Sequence, residues 1–353
     1  MKVSMLAKLV ESLPPEDRRL FRRIFRLEVA VGRLKLPKPL EGWVRERFGS
    51  LGRVQRQRIV KVVNKVTFEG AFFNELRGLR PVEAGKPVSK EVFMEREDCA
   101  FCRPLEMTPE DVFGRVKGPY CVSASNIAKY DRWHGIIVFS EHNPLRLGEK
   151  RLEAWLNQAF QWFKRVAKAD GRAVYPFLLW NCLWRSGASM VHGHMQMVAG
   201  RTPYPKVEAL WRQAKRYEAR YKSNYFEDLY QVHRSLGLGF QYKAFRVLAY
   251  LTPVKEREVF IYSWKPKSLA RVLNKVLQVY GKLGVESFNF SLALPPLRRV
   301  KGWEEFPYLA RLVDRGKLEE KTSDIGGMEL YAASIVSSDP FQLAEKLKAA
   351  FKG

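Results

Sequence analysis

The sequence predicts an α+β fold with two related halves, each made of antiparallel strands with flanking helices, behind a helical N-terminal extension. Of the 353 residues, 46% are hydrophobic, enough for one large or two ordinary cores. The order strand, strand, helix, strand, strand occurs in the middle of the chain and again in the last third. We therefore expect a basic helical extension at 1–70, one half at 71–205 and a second at 206–353.

The extension is predicted to be helical because it has a start signal and a helical period. Ser12 precedes two prolines and the acids Glu16 and Asp17, which is typical of a helix N-terminus. Apolar side chains then recur at helical spacing, at Leu20, Ile24, Leu27 and Val31. A second helical pattern covers 51–66. The extension is rich in arginine, so packing on the core, dimerisation and polyanion binding are all open roles.

The two halves are read from alternating strand-like and helix-like segments. In the first half we expect strand-like segments within 92–148, notably 135–139, then a helix at 149–168 and strands at 175–180 and 188–198. A basic helical region follows at 207–233. In the second half we expect strands at 245–251, 259–262, 288–294 and 306–313, with a helix at 267–283. No histidine follows His233, so the second half cannot repeat histidine chemistry present in the first.

The charge and cysteine content limit the class of protein. Lys and Arg number 62 against 37 Asp and Glu, a formal net charge of +25. This charge favours nucleic acid, a membrane surface or phosphorylated small molecules as partners, although solvated helix faces also account for part of it. Four cysteines are too few for a disulfide scaffold. Since no signal peptide and no apolar run of about 18 residues is present, we expect a cytoplasmic protein without membrane insertion.

The most informative segment is Asn181–Gln196, which ends in His192-Gly-His194-Met-Gln196. If 188–198 is one strand, both histidines and Gln196 lie on one face, with the histidines about 7 Å apart. Two histidines on an apolar strand are costly to bury without partners. A pair of hydrogen-bonded core histidines is the alternative interpretation.

This layout suits attack on phosphorus by a neutral imidazole. An imidazole with a pKa near 6.5 is a nucleophile at neutral pH, and it can form a phosphoramidate that divides one transfer into two steps. Its other ring nitrogen must be held by an acceptor. Gln196 and Ser189 can donate hydrogen bonds to phosphoryl oxygens, and Arg185 can add a positive charge.

A second set of residues predicts a metal site. Cys99 and Cys102 form a C-x-x-C pair, and with His142 and His192 they make a tetrahedral zinc set of two thiolates and two imidazoles. Such a closed set is structural, and it would tie together separate elements. Free thiols or a redox pair are the alternatives for C-x-x-C alone.

Other candidate residues receive no catalytic role. His134 precedes an apolar strand and is interpreted as a packed turn residue, with reach into the nucleotide pocket as the alternative. His233 is interpreted as a helix surface residue. Cys121 and Cys182 are interpreted as small buried hydrophobes.

The segment Asn181–Gln196 resembles the active-site segment of the galactose-1-phosphate uridylyltransferases, a branch of the histidine triad superfamily. Cys99–Cys102 and Ser140–His142 resemble that family's zinc-binding elements, and Tyr120–Asn126 its nucleotide-binding strand. Thr322–Leu330 resembles the segment that reaches across the dimer to the sugar nucleotide. The resemblance covers about 75–353. The family's middle element is His-Pro-His, whereas this chain has His-Gly-His.

The resemblance implies two histidine-triad-like halves, of which 71–205 is catalytic and 206–353 degenerate. It implies that His194 becomes nucleotidylated, that Gln196 and Ser189 contact the transferred phosphate, and that Asn181 supports the loop. Asn126 and Glu329 would bind the substrate, as would Arg185. A neutral Gln in place of a third histidine fits transfer better than hydrolysis.

The expected function is ping-pong uridylyl transfer from UDP-glucose to galactose 1-phosphate through His194, in a homodimer with structural Zn²⁺. An ADP-sugar or dinucleoside-polyphosphate phosphorylase using the same His194 is the alternative. A nucleic-acid-binding or end-processing protein is a further alternative, motivated by the charge, although nucleic acid is not the partner we expect.

Overall fold

The computed structural model describes residues 1–81, 85, 87–321, 323 and 325–352. The strands are β1 (Phe25–Arg33), β2 (Arg56–Asn64), β3 (Gly70–Phe73), β4 (Lys117–Gly118), β5 (Cys121–Ser125), β6 (Trp133–Phe139), β7 (Tyr175–Cys182), β8 (His194–Gly200), β9 (Gly239–Tyr242), β10 (Phe245–Ala249), β11 (Glu256–Ser263), β12 (Phe288–Ala293), β13 (Tyr308–Asp314) and β14 (Ser334–Val336). The helices are α1 (Leu6–Ser12), α2 (Pro15–Ile24), α3 (Glu41–Phe48), α4 (Leu51–Gln55), α5 (Pro104–Met107), α6 (Glu149–Ala169), α7 (Pro205–Tyr221), α8 (Tyr225–Ser235), α9 (Leu269–Lys282), α10 (Met328–Tyr331) and α11 (Pro340–Lys352).

The two halves join in one ten-stranded sheet, in the order β4-β5-β6-β8-β7-β12-β13-β11-β10-β9. Each neighbouring pair is antiparallel. Each half contributes three strands, a helix and two strands in chain order, and the halves meet where β7 pairs with β12. The predicted α+β class with two related halves is confirmed. The boundaries at 70 and 205 stay a prediction.

The helices α6 and α9 cover one face of this sheet and pack against each other. The buried side chains of α6 recur every three or four residues, which is the pattern of a helix with one apolar stripe. Apart from Gln158 they are apolar, namely Leu152, Trp155, Leu156, Ala159, Trp162, Phe163 and Val166. Because the helices occupy this face, the opposite face of the first half is the one that carries polar side chains. Within the described residues, none of the helices is both long and apolar enough to cross a membrane.

The prediction that the whole extension is helical is wrong. The helices α2 and α4 end at Ile24 and Gln55, and the chain continues as the antiparallel pair β1 and β2. Both strands are rich in valine, whose branched side chain favours extended backbone. The spacing of Leu20, Ile24, Leu27 and Val31 suits a helix, but cross-strand pairing decides the structure and leaves no mark on local periodicity.

The extension is tied to the rest of the chain by three features. Its sheet has the order β1-β2-β3-β14, so a strand close to the C-terminus completes it, parallel to β3. Asn64 at the end of β2 is buried, and its amide donates to the hydroxyl of Tyr225 at 2.8 Å. Glu69 forms an ion pair with Arg311 of β13, 2.6 Å apart. The extension is therefore packed on the second half.

Glu258 stands beside this ion pair and makes the stability of the fold depend on pH. Its side chain is buried, and its carboxylate lies 3.4 Å from Arg311, which Glu69 already neutralises. Burial raises the pKa of Glu258 to about 7, helped by the charge of Glu69 and opposed by that of Arg311. Because the folded-state pKa lies above the ordinary value, the stabilising contribution is complete below about pH 4.5 and is lost as the pH rises through 7.

We therefore expect Glu258→Gln to gain stability relative to the wild type as the pH rises. The difference in the free energy of unfolding should shift by about 1–3 kcal/mol in favour of the variant between pH 5.5 and pH 8, as measured by urea denaturation. Glu28→Gln, which removes an exposed carboxylate paired with Lys61, is the matched control and should show no such shift. A pH-independent difference for Glu258→Gln would contradict this account.

Candidate active site

His194 is the first residue of β8, and its placement corrects the predicted strand. The strand was expected over 188–198, but Ser189 to His192 lie in the loop before it. His194 and Gln196 do share one face of β8, whereas His192 does not belong to that strand face. Gly187, at φ +90°, ends the short 3-10 turn that opens this loop. The loop frees His192 to turn toward the two cysteines.

The ring of His194 is fixed by a backbone carbonyl. Nδ1 lies 2.9 Å from the carbonyl oxygen of His192, which can only accept, so Nδ1 carries the proton and donates it. Nε2 then holds the lone pair. Among the described residues Nε2 has no hydrogen-bond partner, and it is not one of the side-chain atoms shut off from solvent. Burial lowers the pKa of His194, so the neutral, nucleophilic form is favoured.

Cys99, Cys102, His142 and His192 converge as the sequence predicts. Their ligand atoms all lie within 4.8 Å of one another. Sγ of Cys102 is 3.3 Å from Nδ1 of His142 and 3.5 Å from Nδ1 of His192. A tetrahedral zinc ion with bonds of about 2.0–2.3 Å separates its ligands by about 3.4–3.8 Å. These distances fit zinc.

The outer nitrogens of both imidazoles also fit a metal site. Nε2 of His192 lies 2.8 Å from the carbonyl oxygen of Phe139, and Nε2 of His142 lies 3.2 Å from that of Val92. Each ring therefore carries its proton on Nε2 and turns the Nδ1 lone pair toward the thiolates, as metal-bound histidines do. Burial lowers the pKa of His192 to about 4, which keeps it neutral. A bound ion would be ligated through both Nδ1 atoms and would hold the loop that precedes His194.

Gln196 lies beside two more polar side chains on the open face of the sheet. Its Oε1 is 3.0 Å from Nε2 of His134 in β6. Asn126, which follows β5, places its Nδ2 3.1 Å from the same nitrogen. Gln196 and Asn126 are thus brought together, as a shared substrate site requires. Interpreting His134 as a turn residue was wrong, because it lies inside a strand and is buried.

The glycine between the two histidines is required by its surroundings. A side chain at Gly193 would place its Cβ 2.4 Å from the ring of Phe139 and 3.1 Å from Cα of Pro144. The backbone carbonyl of Gly193 accepts from the amide of Phe139 at 2.9 Å. The departure from His-Pro-His therefore has a steric reason, since this chain fills the space beside the motif with the Phe139 ring.

The loop after β7 places the remaining predicted residues of the motif. Asn181 accepts a hydrogen bond at 2.7 Å from Asn289, which also donates to the carbonyl of Ser186. Arg185 forms an ion pair with Glu320 at 3.6 Å. Ser189 is exposed in the loop before β8. The supporting role of Asn181 stays a prediction, as do the roles of Arg185 and Ser189.

The C-terminal motif contributes Glu329 as its predicted substrate-binding residue. Glu329 belongs to α10 and forms an ion pair with Lys255 of the second half. Thr322 and Asp324 of the same motif lie outside the described residues. The substrate-binding role of Glu329 stays a prediction that involves a second subunit.

Two residues of the site were not predicted from the sequence. Phe101, inside the C-x-x-C loop, has its ring centroid 5.3 Å from that of His194 and 5.8 Å from that of His192. Asn289 comes from the second half and reaches Asn181 only because β12 pairs with β7.

His233 was expected on a helix surface but is buried, where it bonds to Leu229 and Leu251. The burial expected for Cys121 and Cys182 is confirmed.

Comparison with known proteins places this site in a familiar fold. No protein-family model matches the sequence, and no curated protein does. An ADP-glucose phosphorylase from Arabidopsis thaliana, solved with ADP-glucose, superimposes with a TM-score of 0.61 at 17% identity over 81% of this chain and 97% of that one. A galt-like protein from the same plant gives 0.59 at 16% identity over 80% and 96%. A uridylyltransferase gives 0.57 at 15% identity over 83% and 98%. The resemblance predicted from the motifs is thus confirmed in fold, and the chain shares the architecture of this ADP-glucose phosphorylase, galt-like protein and uridylyltransferase.

Proposed function

We propose that this protein is a nucleotidyltransferase that carries a nucleoside monophosphate on Nε2 of His194. The hydrogen bond from Nδ1 of His194 to the carbonyl of His192 carries the proposal, since it leaves the Nε2 lone pair directed away from the backbone. A buried imidazole held in this tautomer is prepared for attack without a proton transfer. If both histidines were purely structural, nothing would explain why Nε2 of His194 has no hydrogen-bond partner among the described residues.

The chemistry proceeds in two displacements at phosphorus. In the first, Nε2 of His194 forms a bond to the α-phosphorus of the donor, and the bond from phosphorus to the bridging oxygen breaks with its electron pair on the leaving phosphate. The carbonyl of His192 stabilises the positive charge that the ring acquires. In the second, an oxygen of the acceptor phosphate attacks phosphorus and the P–N bond breaks, which returns His194 to its neutral form.

Because Gln196 is a neutral amide, it limits which leaving groups and acceptors the protein can use. An amide cannot supply or remove a proton at neutral pH, so Gln196 can only stabilise phosphoryl oxygens. A phosphate leaving group needs no proton, because its second pKa is about 6, and a phosphate acceptor is already anionic. Water and the sugar hydroxyl of a nucleic-acid strand both require proton transfer. This favours phosphate-to-phosphate transfer over hydrolysis or end-processing.

Uridylyl transfer from UDP-glucose to galactose 1-phosphate is our first candidate reaction, because the motif Asn181–Gln196 follows that family's pattern. An ADP-sugar phosphorylase, which uses inorganic phosphate as the acceptor, is the second. It is favoured by the similarity in fold to the ADP-glucose phosphorylase structure. Both candidates use the same His194 and differ in the base and the acceptor.

Four reactions separate the candidates. UDP-glucose or ADP-glucose is mixed with galactose 1-phosphate or inorganic phosphate, and the products are resolved by anion-exchange chromatography. UDP-galactose from the first donor supports uridylyl transfer, and ADP from ADP-glucose with phosphate supports the phosphorylase. Turnover that needs no phosphate acceptor, with free nucleoside monophosphate as the product, would contradict transfer and indicate hydrolysis.

We also propose a homodimer, in which Glu329 of one subunit reaches the sugar nucleotide of the other. Leu330 and Tyr331 beside it are 72% and 101% exposed, as an unsatisfied interface segment would be. Light scattering of the purified chain tests this, and a monomer at micromolar concentration would contradict it.

A further inference from the structure

His134 is the one buried histidine near the reaction centre that has neither a metal nor a nucleophilic role. It lies in β6 opposite Val198, so it is a diagonal neighbour of Gln196 on the same face of the sheet. Its ring is covered by Tyr130, with centroids 4.3 Å apart. A buried imidazole in such a position must have its hydrogen bonds satisfied, and their direction can be assigned.

The protonation of the His134 ring follows from its backbone partner. The amide of Tyr130 lies 3.0 Å from Nδ1, and a backbone amide can only donate, so Nδ1 is the acceptor. The neutral ring therefore carries its proton on Nε2 and donates it to Oε1 of Gln196 at 3.0 Å. Asn126 approaches the same nitrogen through Nδ2, which can only donate, while its Oδ1 accepts from the amide of Ala128. A second donor cannot bond to a protonated nitrogen, so the contact from Asn126 is not a hydrogen bond, and Oε1 of Gln196 is the acceptor for the Nε2 proton.

This assignment fixes which end of the Gln196 amide faces the substrate. A glutamine amide has two orientations of nearly equal shape, one that presents NH₂ and one that presents oxygen. With Oε1 bound by His134, the NH₂ group is left on the open side, and its nitrogen is not among the atoms shut off from solvent. The reversed amide would present an oxygen to the anionic phosphoryl group and repel it.

We propose that His134 is the positioning residue that orients Gln196 as a hydrogen-bond donor to the phosphoryl group in transfer through His194. The proposal rests on the proposed function. The backbone next to His134 is closely packed. Gly135 lies directly on the Trp162 ring, and a Cβ at this position would be 2.7 Å from the indole. The Trp162 indole in turn donates to Asp111 at 2.7 Å.

The kinetic test is a double-mutant cycle on formation of the nucleotidyl enzyme, measured by rapid quench and intact-protein mass. His134→Leu should lower the rate constant about 10- to 100-fold in the wild-type background and less than about twofold in Gln196→Ala. His134→Gln, whose Nε2 keeps a donor near the same position, should recover most of the rate. Equal losses in both backgrounds, or no loss in His134→Leu, would overturn the proposal.

A second readout does not need activity. Long-range ¹H–¹⁵N spectra of histidine-labelled protein report which ring nitrogen carries the proton, with His134→Gln used for assignment. We expect His134 to be protonated on Nε2, and in a second sample labelled at glutamine we expect the Gln196 side-chain amide signals to shift in His134→Leu. A proton on Nδ1 would overturn the proposal. The expected ring signals without any nucleotidyl enzyme would instead contradict the proposed function and leave the orientation of Gln196 standing.

Discussion

Replacing His194 should abolish nucleotidyl transfer while leaving the fold intact. We expect His194→Ala and His194→Asn to lower the rate of transfer by at least about 10⁴-fold, since no other described side chain of the site offers a free nucleophilic nitrogen. His194→Asn is the sharper variant. Its amide nitrogen can replace Nδ1 as the donor to the carbonyl of His192, and it has no lone pair for attack.

Folding controls accompany this measurement. The thermal midpoint of His194→Asn should lie within a few degrees of the wild-type value. Its metal content should equal that of the wild type within experimental error. If His194→Asn keeps full activity, the nucleophile is elsewhere and the two-step mechanism is wrong. If only His194→Ala has both lower activity and a lower thermal midpoint, its loss of activity reflects a folding defect. His194→Asn then decides whether His194 is the nucleophile.

Removing a ligand of the expected zinc site should have the second largest effect, on stability first and on transfer second. We expect Cys102→Ala to lose one equivalent of zinc per chain and several kcal/mol of the free energy of unfolding. His192 would lose its restraint, and its carbonyl holds His194, so formation of the nucleotidyl enzyme should also slow. Metal analysis, urea denaturation and rapid quench measure the three effects.

Cys121→Ala is the matched control, because Cys121 is a buried cysteine outside the metal cluster. It should keep the metal and lose only the roughly 1 kcal/mol expected for a small cavity. A chelator should lower the thermal midpoint of the wild type and of Cys121→Ala, and should not change that of Cys102→Ala. Equal stability of the two cysteine variants in the absence of chelator would contradict a structural metal.

Much of the site follows from the sequence because its chemistry depends on short motifs. His194 and Gln196 are two residues apart on one strand, and the cysteines Cys99 and Cys102 share one loop. The convergence of His142 and His192 on those cysteines was also predicted, from the donor types that zinc selects. Local spacing and ligand chemistry suffice for these features.

What the sequence did not predict depends on pairing between distant segments. His134 meets Gln196 because β6 and β8 are adjacent, and Asn289 meets Asn181 because the two halves join at β7 and β12. The strands of the extension escaped prediction for the same reason, since β1 and β2 are defined by each other. At the cluster of Cys99, Cys102, His142 and His192, the chain leaves the strand before His194. The alternation of side chains in the sequence cannot reveal where a strand begins.

The covalent intermediate on His194 can be detected from the mass of the intact wild-type chain after incubation with UDP-glucose, and separately with ADP-glucose, without an acceptor. We expect a gain of one nucleoside monophosphate per chain. Peptide mapping should place it on the segment that contains His194, and galactose 1-phosphate or inorganic phosphate should remove it. Product formation with an acceptor but no adduct, or an adduct on a different residue, would contradict a covalent intermediate on His194.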